Sequence, residues 1–140
     1  MKALFLDIDG VMSINHGKID CHKVVMINKI IQYTDCHIVL SSSWRLNSGL
    51  CMSLFDDGIL FEHSTPDLST PDDEHGAVHR ASEIRLWLDQ HPEVTAYAIL
   101  DGDQESLVPY ADKLIATNHK VGLTLSHVHR AIAMLNETKE

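Results

Sequence analysis

Basic residues are scarce in this chain: 11 Lys and Arg stand against 20 Asp and Glu, a formal net charge of −9. That balance excludes the broad positive face on which strong non-specific nucleic-acid binding depends, and leaves room only for a local basic patch. It suits a site that gathers divalent cations. Cysteine is scarce too. Cys21, Cys36 and Cys51 are odd in number, far apart and without a C-x-x-C pair. This excludes a disulfide framework or a cysteine zinc site, and reduced thiols in a cytoplasmic compartment are expected. No apolar run approaches the roughly 20 residues that span a bilayer, so no membrane segment is expected. The N-terminus also lacks the basic, then apolar, then small order of a signal peptide. No repeat, low-complexity tract or linker divides the 140 residues, which suffice for one domain over 1–140 with a real core.

What is present is alternation. KALFLDI (2–8) reads as a buried strand, and HIVLS (37–41), ILFEH (59–63), AYAIL (96–100) and KLIAT (113–117) read as four more. Between them, Val24, Ile27, Ile30 and Ile31 fall at helical spacing over about 20–33. Leu50, Leu54 and Phe55 mark a short helix closed by Gly58. Residues 64–78 have loop composition, and a helix follows from about His79 to Gln90, with Pro92 just beyond. Ser126 or Thr124 caps a last helix carrying Val128, Ile132 and Leu135. Strands alternating with helices imply an α/β fold with a parallel, doubly wound sheet, whose ligands bind beyond the carboxyl ends of the strands.

The candidate site residues stand at those ends. Asp7 and Asp9 share one face of a strand by its two-residue period, and their charges repel unless a cation or a shared proton lies between them. A surface turn bent at Gly10 is the plain alternative. Ser41 and Ser42 follow the second strand, and Asp101 and Asp103 follow the fourth. Carboxylates from two strand ends form a hard-oxygen cluster suited to Mg²⁺. Hydroxyls and amides in SSSWR bind phosphate oxygens, with Gly10 counted in the same group, and Arg80 near a helix start supplies a neutralising cation. An aspartate beside phosphorus can act as nucleophile while a second handles the proton.

In order, LDIDGV, IVLS, Arg80 and ILDGD resemble the four motifs of the haloacid dehalogenase (HAD) superfamily. SSSWR, STP, EIRLWL, YAILDGD and GLT resemble more closely the small HAD domain of Swiss Army Knife RNA repair proteins, over nearly the whole chain. The resemblance implies a three-layer Rossmann-like core of about five strands in order 5-4-1-2-3. It implies Asp7 as nucleophile, Asp9 as acid/base, Ser41 and Arg80 on the phosphate, and Mg²⁺ held by Asp7, Asp9, Asp101 and Asp103. Related domains read L-D-D where this chain has Gly102 after Asp101, which leaves Asp101 and Asp103 as alternative ligands.

About 28 residues separate Asp9 from His37 and about 16 separate His63 from His79, too few for a cap domain. An open site admits a small nucleotide or a phosphorylated nucleic-acid end. The expected activity is therefore Mg²⁺-dependent phosphomonoester hydrolysis, with nucleic-acid repair as the family's association. A phosphate- or metal-binding module without turnover is the competing reading, and an acyl or carbon–halogen hydrolase a third.

Other residues read more plainly. His63, His75 and His79 are expected as solvated loop residues, the latter two alternatively as substrate contacts, and Trp44 as packing or base stacking. Arg45 is a phosphate contact or a salt-bridge partner. Trp87 is expected in the core, and Glu83 at a solvated or capping position outside the site.

Overall fold

Five parallel strands follow the apolar runs: β1 (Lys2–Leu6), β2 (His37–Leu40), β3 (His63–Ser64), β4 (Ala96–Asp101) and β5 (Leu114–Ala116). Their order in the sheet is β3-β2-β1-β4-β5, the expected 5-4-1-2-3 read from the other edge. The helices are α1 (Cys21–Thr34), α2 (Ser48–Asp56), α3 (Arg80–Asp89) and α4 (Leu125–Leu135). The computed structural model describes residues 1–14, 17–73 and 79–137.

The two-residue strand period divides the core. Leu4, Leu6, Ile38, Leu40, Ala98 and Leu100 face α1 and α4, where they meet Val24, Ile27, Val128 and Leu135, with Leu54 of α2 in the same cluster. Ala3, Phe5, Val39 and Ile99 face the opposite way, against Ile84 and Trp87 of α3. Phe5 meets Trp87 edge-on at 5.4 Å between ring centres, an arrangement that suits their quadrupoles. Both faces of the central strands are thus apolar, as an all-parallel sheet covered on both sides requires.

Several boundaries differ from the sequence reading, each for a local reason. β1 stops at Leu6 instead of Ile8 because the Ile8 carbonyl accepts the amides of Val11, Met12 and Ser13 and so turns the chain. α2 starts at Ser48 because Asn47 Oδ1 caps it from 3.0 Å at Leu50 N–H. Gly58 (φ +92°) ends that helix: its N–H bonds Phe55 O and that of Ile59 bonds Leu54 O, the paired bonds of a Schellman cap. Ile59, expected to open β3, is spent on this cap, which leaves β3 two residues long. Of the two candidate caps of α4, Thr124 is used, its side chain paired with His127 in a capping box. Among the described residues, no further strand or helix lies between β3 and α3.

Candidate active site

Sheet register builds the site. Leu6 pairs with both Leu40 and Leu100, and Leu40 with Ser64. The next residue on each strand therefore forms a row across four strands: Thr65, Ser41, Asp7 and Asp101. The ladder carries into this row, since Ser41 N–H bonds Leu6 O, Asp7 N–H bonds Leu100 O and Thr65 N–H bonds Leu40 O. Leu6, Leu40 and Leu100 face α1 and α4, so alternation turns the row toward α3. All four row residues are buried, in a layer where Phe5, Val39 and Ile99 are apolar.

Arg80, the first residue of α3, enters this row. Its Nη1 donates to Asp101 Oδ2 at 2.9 Å and Oδ1 at 3.2 Å, and lies 3.5 Å from Asp7 Oδ2. One guanidinium nitrogen thus serves both carboxylates. Burial works against the charge of Arg80, but Asp7 and Asp101 more than offset it and hold the guanidinium above its usual range. Burial pushes the Asp7 carboxyl up, against the pull of Arg80 and with a push from the charge of Asp9. Burial first, and the negative charge of Asp7 second, push Asp101 up to about 7. The two acids face each other across too little solvent for both to ionise freely.

Asp9 reaches the same centre by the turn after β1, not by strand alternation. Its Oδ1 accepts from Ser13 Oγ at 3.3 Å, and its Oδ2 accepts from the indole Nε1–H of Trp44 at 3.1 Å. Trp44 packs against the core as expected, and its indole also holds one oxygen of Asp9. These residues are 35 positions apart, and nothing in the sequence pattern joins them. Gly10 (φ +81°) makes the turn possible. Its N–H is taken by Ser13 O and its carbonyl by Thr117 Oγ1 at 2.9 Å. This corrects the expectation of a phosphate contact: both backbone groups of Gly10 are engaged within the fold.

The two serines after β2 differ in role. Ser42 Oγ caps a 3-10 turn (Ser43–Leu46) by accepting Trp44 N–H. Ser41 Oγ is buried with no hydrogen-bond partner among the described residues, as is Thr65 Oγ1 beside it in the row. Buried hydroxyls are seldom left unpaired, and such an atom at a strand end is a natural ligand contact. Thr65 was not singled out from sequence, although it lies in the STP segment.

Arg45 proves structural. It donates to Thr65 O, Ser42 O and Pro66 O at 2.9, 3.0 and 3.2 Å, and pairs with Glu83 Oε2 at 2.9 Å. Glu83, expected at a solvated or capping position, is buried. The signal was available: Arg80, Glu83, Ile84 and Trp87 fall at i, i+3, i+4 and i+7 on one helix face.

At the end of β4, Asp101 is the acid that faces Asp7 and Arg80. Asp103 instead accepts the amide of Ser106 at 3.2 Å, and its own N–H bonds Asp101 Oδ1 at 2.9 Å. Gly102 thus separates a carboxylate that faces Asp7 and Arg80 from one that accepts a turn amide and whose charge still acts on Arg80. Asp7 and Asp101 supply buried hard-oxygen donors whose mutual repulsion a divalent cation relieves, so the donor set fits Mg²⁺. His79 bonds Asp73 Oδ2 at 2.8 Å, and His75 lies outside the described residues. His63 joins His37 and Glu62 on the β3 edge, a second group of possible metal donors away from the row.

No curated protein and no solved structure matches the chain. A family model described as the HAD domain in Swiss Army Knife RNA repair proteins matches residues 3–128, a range that includes the strand ends of this site. The chain belongs to that family of HAD domains.

Proposed function

We propose that the chain is a Mg²⁺-dependent phosphomonoester hydrolase that works through an aspartyl-phosphate on Asp7, acting as one capless cytoplasmic domain over residues 1–140. The observation that carries this reading is the in-register row of Ser41, Asp7 and Asp101 with Arg80 set against both carboxylates. Asp7 attacks phosphorus; the Asp7–O–P bond forms as the ester P–O bond breaks. Asp9, held by Trp44 and Ser13, is the general acid that gives a proton to the departing oxygen. Water then attacks the same phosphorus, Asp9 takes a proton from it, and the Asp7–O–P bond breaks to release phosphate. Arg80 and the unpaired hydroxyl of Ser41 stabilise the equatorial oxygens of the transferring group. Asp7 and Asp101, with Asp9 alongside, would hold Mg²⁺, which when bound would supply positive charge against the phosphoryl oxygens and relieve the repulsion between the acids. The absence of a further element between β3 and α3, among the described residues, suits an open site for a nucleotide or a phosphorylated nucleic-acid end.

The test is hydrolysis of p-nitrophenyl phosphate with Mg²⁺, alongside trapping of a phosphate-mimicking fluoride complex. Asp7→Asn is expected to abolish turnover and trapping together. Robust turnover by Asp7→Asn removes the mechanism. Complex binding without turnover by the wild type favours a non-catalytic phosphate- and metal-binding module.

A further inference from the structure

Beside the row, between the loop after β4, the loop after β5 and the start of α4, lies a cavity of about 820 Å³. That is the size of a site for a whole small ligand, far more than one phosphoryl group needs. It borders the site directly. Gly102, next in the chain to Asp101, lines it. So does His119, whose Nδ1 lies only 2.7 Å from where a β-carbon on Gly10 would sit. His119 thus packs in the notch between the loop that carries Asp9 and the loop that carries Asp101.

Gly102 leaves room at this edge of the cavity. A β-carbon there would stand 3.3 Å from Thr117 O and 3.6 Å from His119 Cε1, so any side chain would crowd two of the residues that line it. An acid at this position, as in the L-D-D pattern, would also bring negative charge. The charge of the lining is the second observation. In a chain of net charge −9, none of the described residues lining this cavity is acidic, whereas Lys120 is basic and His119 can donate a hydrogen bond. Lys120 is presented by a fixed turn: Asn118 Oδ1 accepts its N–H at 2.8 Å, and Asn118 O accepts the N–H of Gly122 (φ +73°) at 2.6 Å. The loop is in turn tied to the site by Thr117 Oγ1 on Gly10 O.

We propose that this cavity receives the leaving group of the phosphomonoester and selects leaving groups that carry a second phosphate, held by Lys120 with His119. The proposal rests on the phosphatase reading and deepens it by naming the substrate class: a monoester flanked by another phosphate, as in a nucleoside bisphosphate or at a phosphorylated chain end. The acidic chain repels a multiply charged substrate, and a local basic, acid-free pocket beside the reacting group counters that repulsion where it matters. A singly phosphorylated substrate has no use for it.

The experiment compares kcat/KM for adenosine 3′,5′-bisphosphate with that for the two adenosine monophosphates, using the full chain and Mg²⁺. A 5′-phosphorylated dinucleotide carries the second phosphate as a diester and separates a chain end from a free bisphosphate; preference for either over its singly phosphorylated counterpart supports the proposal. The wild type is expected to favour the second phosphate by about tenfold, the scale of one hydrogen-bonded charge pair. Lys120→Met should bring that ratio close to one, Lys120→Arg should retain it, and added salt should erode it. A preference that survives Lys120→Met, or no preference in the wild type, overturns the proposal. Hydrolysis of p-nitrophenyl phosphate without the preference sinks this inference alone, whereas no hydrolysis of any substrate by the wild type sinks the phosphatase reading beneath it.

Discussion

Replacing Glu83 by alanine should unfold this protein far more readily than its distance from the reacting groups implies. The Arg45 and Glu83 side chains are only 6% and 8% exposed, and their ion pair is 2.9 Å long. Glu83 Oε2 also accepts the amide of Leu68 at 3.0 Å. Glu83→Ala leaves a buried guanidinium without its counter-charge and a loop amide without its acceptor. Breaking a buried pair from one side costs about 3–5 kcal/mol. Glu83→Gln keeps an acceptor for both donors and removes only the charge, so its cost should be nearer ~1–2 kcal/mol, the scale of a weakened charged hydrogen bond. Urea denaturation followed by tryptophan fluorescence measures both, with the slope m checked for constancy. The consequence reaches the site, because Arg45 ties Ser42 O to Thr65 O and Pro66 O, on either side of the unpaired hydroxyls. A loss below about 1 kcal/mol in Glu83→Ala, the range of an exposed pair, would refute the view that this pair is a buried clamp.

Trp44→Phe retains the ring and removes one donor from Asp9; kcat for p-nitrophenyl phosphate should fall about tenfold with little change in KM, as expected for one hydrogen bond to a charged group, and an unchanged kcat in a folded variant would deny Trp44 its positioning role. Asp101 should make stability depend on pH: its carboxyl is pushed from 3.8 up to about 7, by burial and then by Asp7. The unfolded chain thus gives up this proton first, and without Mg²⁺ the contribution is full below about pH 4 and lost as pH rises through about 7. Thermal melts should show that decline in the wild type and a smaller one in Asp101→Asn, and Mg²⁺ should raise the melting temperature more at pH 8 than at pH 5.

Much of this could be read along the chain because the information is local. Apolar runs of four to six residues between amphipathic stretches specify buried parallel strands, and such sheets bind ligands at the carboxyl ends of their strands. That reasoning reached Asp7, Ser41 and Asp101 without coordinates. It also reached Arg80, as a cation near a helix start, and the Thr124 and Gly58 caps, whose chemistry spans six residues or fewer.

The tertiary structure decided whatever depends on register and packing. A strand's last residue shifts when a carbonyl such as that of Ile8 takes several amides, which no periodicity announces. That Asp101 and not Asp103 stands beside Asp7 follows from the Leu6–Leu100 pairing. Trp44 meets Asp9 across 35 residues, and Arg45 meets Glu83 across the α3 interface. Gly102 is the clearest case. In sequence it is a departure from a pattern that casts doubt on the acids around it. In the fold it follows the acid beside Asp7 and lines a cavity formed with the loop after β5, because the close approach of Thr117 and His119 exists only once the sheet has formed.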